Sequence, residues 1–272
     1  MIRQRQLSFP AVLLFICLTL SGCGDSNVFS SLADDDTPAA RLDQGLAAIN
    51  AGDYETAIAT LEGLDQDDPA VRRYLASAYA GRAGFDAIEL IDILSRDDAD
   101  YSGSDGSAEQ KMFDTLAAMF GADAEGKIPE LAGRITDLGN ALALLTDDGH
   151  ADEEGRFQAG LYGSVQTVLL TADLLDGAGI DRIKNLSDTE ISDLVAANFD
   201  RPVSAGDATP KGEALNASLL LVADASAGLK LGLEPGDSND MADEMDELLN
   251  ELGYDDDGRV DQTELIDYLR NL

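Results

Sequence analysis

The chain has 272 residues, 53 of them acidic and 18 basic, with one histidine and no tryptophan. A net charge of −35 repels nucleic acid and anionic lipid headgroups. One histidine cannot build a histidine-based zinc site, and no glycine-rich phosphate loop or dinucleotide fingerprint is present.

The N-terminus sets Arg3 and Arg5 before a ten-residue apolar run, 11–20. A helix needs about 20 apolar residues to cross a bilayer, so the run reads as the core of a secretory signal. Leu20-Ser21-Gly22-Cys23 follows directly and resembles the lipobox of bacterial lipoproteins. The resemblance implies cleavage after residue 22 and lipidation of Cys23, so that the membrane is met through acyl chains alone. Gly24, rather than Asp, follows Cys23, which in the lipoprotein sorting scheme implies the outer membrane; the domain is expected to face the periplasm, with the cell surface as the alternative. Loss of residues 1–22 removes Arg3, Arg5 and Cys17 and takes the net charge from −35 to −37. With Cys23 acylated, no thiol is left for a disulfide or for a cysteine–histidine nucleophile.

Residues 23–38 are small and polar and read as a flexible tether. From there the period is helical and alanine and leucine dominate, so the fold class expected is all-α. Within residues 39–95 "AIATLEGL" (57–64) and "AIELIDIL" (87–94) share one pattern thirty residues apart. Gly52-Asp53-Tyr54, Ala57, Leu61 and Pro69 resemble tetratricopeptide-repeat positions, as do Leu75, Ala76, Tyr79 and Phe85 in the second copy. The resemblance implies helical hairpins in which small residues let helices approach and aromatics fill the groove. It also implies a surface that binds a protein or peptide partner. The spacing is shorter than the family's 34 residues and only two copies are visible.

Residues 96–106 form an acidic, Ser/Gly-rich loop, and 107–236 read as a helical bundle. Helices are expected over about 107–121, 128–146, 152–176, 187–199 and 211–232, with Ser187 and Glu190 spaced as a capping box. His150 lies in the acidic turn "LTDDGHADEEGR" and reads as a loop residue. The runs 159–175 and 214–233 are unusually apolar, each carrying one acid, Asp173 and Asp224. They read either as two central helices crossing on small residues or as the walls of an apolar ligand pocket. In a pocket the two acids would be polar fixtures, and burial would raise their pKa values.

Residues 237–272 end in "GYDDDGRVDQTELIDYL". With Gly258 as the turn glycine, Asp255, Asp257, Arg259 (through its backbone carbonyl), Asp261 and Glu264 fall at the ligand spacing of an EF-hand loop. The stretch resembles an EF-hand, and Ca²⁺ is the cofactor the resemblance implies. Gly253 occupies the first ligand position and has no side-chain oxygen, so the site is expected to be weak. A second acidic stretch, Asp98, Asp100, Ser102, Gly103 and Glu109, has similar spacing. It puts Asp105 where loop pairing needs an apolar residue, and reads as a linker.

The expectation is therefore tetratricopeptide-like hairpins continuing into a helical bundle, with an EF-hand-like helix–loop–helix at the C-terminus. Scattered carboxylates without a placed partner point away from an enzyme. The leading function is an envelope adaptor or scaffold with a protein or peptide partner. The alternative is a transport-associated helper with an apolar pocket between 159–175 and 214–233.

Overall fold

The structure is a computed structural model that describes residues 36–85, 119–121, 123, 127–146, 153–175, 186–203, 208–230, 240–254 and 258–271. Among these residues the regular elements are all α-helical, nine in number. They are α1 (Pro38–Asn50), α2 (Tyr54–Leu61), α3 (Pro69–Arg82), α4 (Leu131–Thr146) and α5 (Glu153–Leu174). Then follow α6 (Asp188–Asn198), α7 (Lys211–Lys230), α8 (Asp240–Glu251) and α9 (Gln262–Asn271). One isolated antiparallel bridge joins Pro202 to Pro210. The described residues from 42 onward belong to one compact unit. The second helix of the 57–64/87–94 repeat, the 96–106 loop, the stretch from Asp98 to Glu109 and most of the 107–121 helix lie outside the described residues.

Local signals set the helix ends. Asp53 caps α2 by accepting from Thr56 N at 3.2 Å. Asp68 caps α3 at Ala70 N, 2.8 Å, with Pro69 at the first helical position, where its missing N–H costs nothing. The α1–α2 turn needs a left-handed residue, and Gly52 supplies it at φ +74°. Ser187 and Glu190 close a reciprocal capping box on α6. The expected helix at 128–146 starts three residues late, at Leu131. Pro129 lies before it and Glu130 takes φ +55°, a left-handed turn that no α-helix continues.

Two apolar clusters share α3. Ala48, Ala57, Ile58 and Leu61 of α1 and α2 pack with Leu75 and Ala78 of α3. Ala76 and Ala80, on its other side, join the large core that runs through α4, α5, α6, α7, α8 and α9. Tyr79 and Leu144 pack against both. Large residues insert where glycine leaves room. A methyl group on Gly81 would stand 2.2 Å from the Tyr54 ring, and one on Gly45 2.7 Å from Leu61 Cδ2.

The centre of the large core is the antiparallel pair α5–α7. A methyl on Gly160 would meet Ala225 Cβ at 2.0 Å, and one on Gly163 would meet the Ser218 carbonyl at 2.8 Å. The helices thus cross on small residues, as the first of the two readings of 159–175 and 214–233 expects. Buried hydroxyls inside α5 bond back along the helix, Thr167 to Gly163 O at 2.9 Å and Thr171 to Thr167 O at 2.8 Å, so no polar cost accrues there. No helix among the described residues is long and apolar enough to cross a membrane.

Candidate functional site

The C-terminal helix–loop–helix is built on α7. Ala242, Met245, Leu248, Leu249 and Leu252 of the α8 segment are buried, as are Leu265, Tyr268 and Leu269 of α9. At the far end of α7 the buried Ser226 hydroxyl reaches the Ala242 carbonyl at 3.2 Å and donates to the Asp246 carboxylate. Lys230 donates to the other Asp246 oxygen and stands 3.6 Å from Asp243. Burial alone would raise the Asp246 carboxyl, but the bonds from Lys230 and Ser226 outweigh it and hold Asp246 below its ordinary value. The same bond to Asp246 holds the Lys230 ammonium above its own.

Of the five sequence-predicted cation ligands, Asp255 and Asp257 lie outside the described residues. Asp261 and Glu264 are brought together at the start of α9. Asp261 Oδ1 accepts from Thr263 N (2.6 Å) and Glu264 N (3.0 Å), while Glu264 Oε2 accepts from Asp261 N at 2.7 Å. This reciprocal pair answers the unpaired N–H groups of the helix terminus. Glu264 also lies over Gly253, which takes φ +79°. A Cβ on Gly253 would sit 3.1–3.2 Å from its Cβ, Cγ and Cδ atoms. Gly253 and Glu264 are therefore neighbours. Arg259 is exposed on the loop between them. Among the described residues no group of three or more His, Cys, Asp or Glu side chains is arranged to hold a metal ion.

Between Arg259 and Asp261, Val260 is buried, with 1% of its surface exposed. Its backbone N–H donates to Asn216 Oδ1 at 2.6 Å. Its carbonyl accepts from Asn216 Nδ2 at 3.1 Å, and the same nitrogen reaches Gly212 O at 2.9 Å. Flipping the amide would set donor against donor, so this orientation is fixed by its partners.

The hairpin end is tied down by polar contacts. Tyr79 donates to Glu62 at 2.6 Å; burial, with the Glu62 bond second, pushes its hydroxyl up to about 12. Arg82 makes a forked contact with Asp137, at 2.9 and 2.6 Å, and lies 5.2 Å over the Tyr79 ring. Gln158 of α5 donates to Ser77 (2.8 Å) and Tyr162 (2.7 Å), and Phe85 meets Tyr162 edge-on at 4.9 Å.

Asp173 and Asp224 do not meet. Asp173, at the C-terminal end of α5, stands 2.6 Å from Lys211 Nζ at the start of α7. That contact is an ion pair rather than a well-angled hydrogen bond, since Asp173 Oδ2 has no hydrogen-bond partner of good geometry. Lys211 also donates to the Asp173 carbonyl at 3.2 Å, and Asn198 to the Leu174 carbonyl at 2.9 Å, closing the α5 C-terminus. Asp224 is exposed near the opposite end of the pair. It borders a half-open groove of about 850 Å³ that Arg156, Phe157, Gly228 and Leu229 also line. Space thus exists at one end of the α5–α7 pair, while the crossing at Gly160 and Gly163 is closed.

Cys23 and His150 lie outside the described residues. Asn216, Ser226 and Lys211 are anchoring residues that pattern reading passes over. Their signal in the sequence is a polar side chain inside an apolar helix, "KGEALNASLLLVADASAGLK". Compared with family models, with curated proteins and with solved structures, the chain matches none.

Proposed function

We propose that this protein is a lipid-anchored, non-enzymatic adaptor of the cell envelope, held at the outer membrane through Cys23 and facing the periplasm. Its tetratricopeptide-like hairpins would present the surface for a protein or peptide partner. The observation that carries the reading is the packing of α1, α2 and α3. Tyr54 fills the space left by Gly81, Leu61 lies against Gly45, and Ala57 is fully buried at the helix contact. That small-against-large interlock is what such helix pairs need in order to stack. A ligand pocket between α5 and α7 has less support, because the glycines at their crossing leave no space there.

In the same proposal α8, the acidic loop and α9 are an EF-hand-like unit with a weak calcium site. Asp255, Asp257, Asp261 and Glu264, with the Arg259 carbonyl, offer oxygen donors only, the set a hard cation takes. The nearness of Glu264 to Gly253 supports the loop's closure. A bound cation would neutralise part of an over-acidic tail. Extracellular modules of this kind work at Kd values of about 10⁻⁴–10⁻³ M, so one missing ligand is tolerable there.

The test has two arms. The tethered protein is captured from its own membranes with calcium and with chelator; a reproducible partner in either condition is expected, and its absence in both sinks the adaptor reading. Calorimetry with millimolar Ca²⁺ on wild type and Glu264→Gln is expected to show heat only in the wild type. Two featureless traces would leave the loop an acidic turn.

A further inference from the structure

We propose that Asn216 stands in for a partner strand: its carboxamide occupies both pairing groups of Val260, so the C-terminal helix–loop–helix works as a single unit on its own α7 instead of pairing with a second copy of the chain. A backbone N–H and C=O left open on an extended residue form a template on which another chain can add a strand. At Val260 both are taken, by Asn216 Oδ1 at 2.6 Å and Asn216 Nδ2 at 3.1 Å. An asparagine amide carries an acceptor oxygen beside a donor nitrogen, the same pair a peptide group offers. It can therefore answer one residue of a strand edge completely.

Three further features fit this role. Val260 is almost fully buried, so its polar groups must find a partner and cannot fall back on water. The amide is itself fixed, because Nδ2 also donates to Gly212 O one turn back along α7, at 2.9 Å. The other arm of the unit is held by the same helix, through Ser226 and Lys230 on Asp246. One helix thus grips the loop near its start and α8 near its end. A detached unit that swung out to pair with a copy would have to give up both grips. The proposal concerns what pairs with Val260 and does not depend on whether the carboxylates hold calcium. It is accordingly tested in chelator.

The experiment uses the full mature chain. Amide hydrogen exchange resolved by NMR, sedimentation over a wide concentration range, and cross-peaks between the Asn216 side-chain amide and Val260 are recorded for wild type. Exchange and sedimentation are repeated for Asn216→Ala. The wild type is expected to stay monomeric, with Val260 N–H protected and close to the Asn216 amide. Asn216→Ala is expected to lose Val260 protection by about tenfold or more, as a buried hydrogen bond is removed, and to self-associate with rising concentration. A second change, Val260→Pro, removes the N–H and is expected to abolish that association. Unchanged Val260 exchange in Asn216→Ala overturns the proposal. So does a wild type that dimerises through Val260, or one in which Asn216 and Val260 show no contact; the wild-type measurements decide even where the variant does not fold.

Discussion

Asp246 shows how a half-exposed carboxylate can work as a latch. It takes a hydrogen bond from the buried Ser226 and another from Lys230, and both donors sit on α7 while Asp246 sits on α8. Its folded pKa is lowered, so the stability it contributes is present above the unfolded carboxylate value near 3.8 and is lost as pH falls through the folded value. Acid should therefore loosen α8 from α7. We expect Asp246→Asn to flatten the acid limb of the stability–pH curve, measured by urea unfolding between neutral and acid pH. At neutral pH its cost should be about 1 kcal/mol or less, since the pair is partly solvent-screened. An acid limb identical to wild type would show that the latch contributes nothing. Tyr79 has the opposite sign: its hydroxyl is raised to about 12, so its contribution is lost as pH climbs from about 10 through that value.

At the scale of elements, glycines in helices have different jobs and should answer substitution with different signs. Gly163 of α5 faces the α7 backbone, where a Cβ would meet the Ser218 carbonyl at 2.8 Å. Gly133 of α4 faces open space, with no atom within 4 Å of its Cβ position. Gly163→Val should push α5 and α7 apart and destabilise by about 1–3 kcal/mol or more. Gly133→Ala should stabilise by about 0.5–1 kcal/mol, because only helix propensity changes. Thermal melts of the two variants check this, and a destabilised Gly133→Ala would contradict the open surroundings. The helices themselves were legible in the sequence: α6 follows from the Ser187–Glu190 pair, and α7 from its apolar run. What faces what was not. Asn216 and Val260 are 44 residues apart, and Ser226 and Asp246 are 20 apart. A helical period tells which residues turn inward but not which helix receives them. Asp173 and Asp224 show the same limit, since two acids in two similar runs suggest a shared site, yet antiparallel packing sends them to opposite ends.

For the whole molecule, charge dominates. A net charge of −35 over 272 residues, with only five lysines, means that the compact state works against its own field. Ions pairing locally, such as Lys211 with Asp173 and Arg82 with Asp137, relieve their own sites but leave the net field in place. The melting temperature should climb as salt rises from low ionic strength to about 0.5 M, where the screening length falls to about 4 Å. A flat profile would mean that self-repulsion is not limiting. The division of the core has a mechanical side as well. α3 is a wall common to two clusters, and among the described residues Tyr79 and Leu144 pack against both. Under the proposed anchor, tension on the lipid end enters through α1, so the small α1–α2 cluster lies first in the load path. It would yield as a fuse, lengthening the reach from the membrane while the α5–α7 spine and everything α7 grips stay folded.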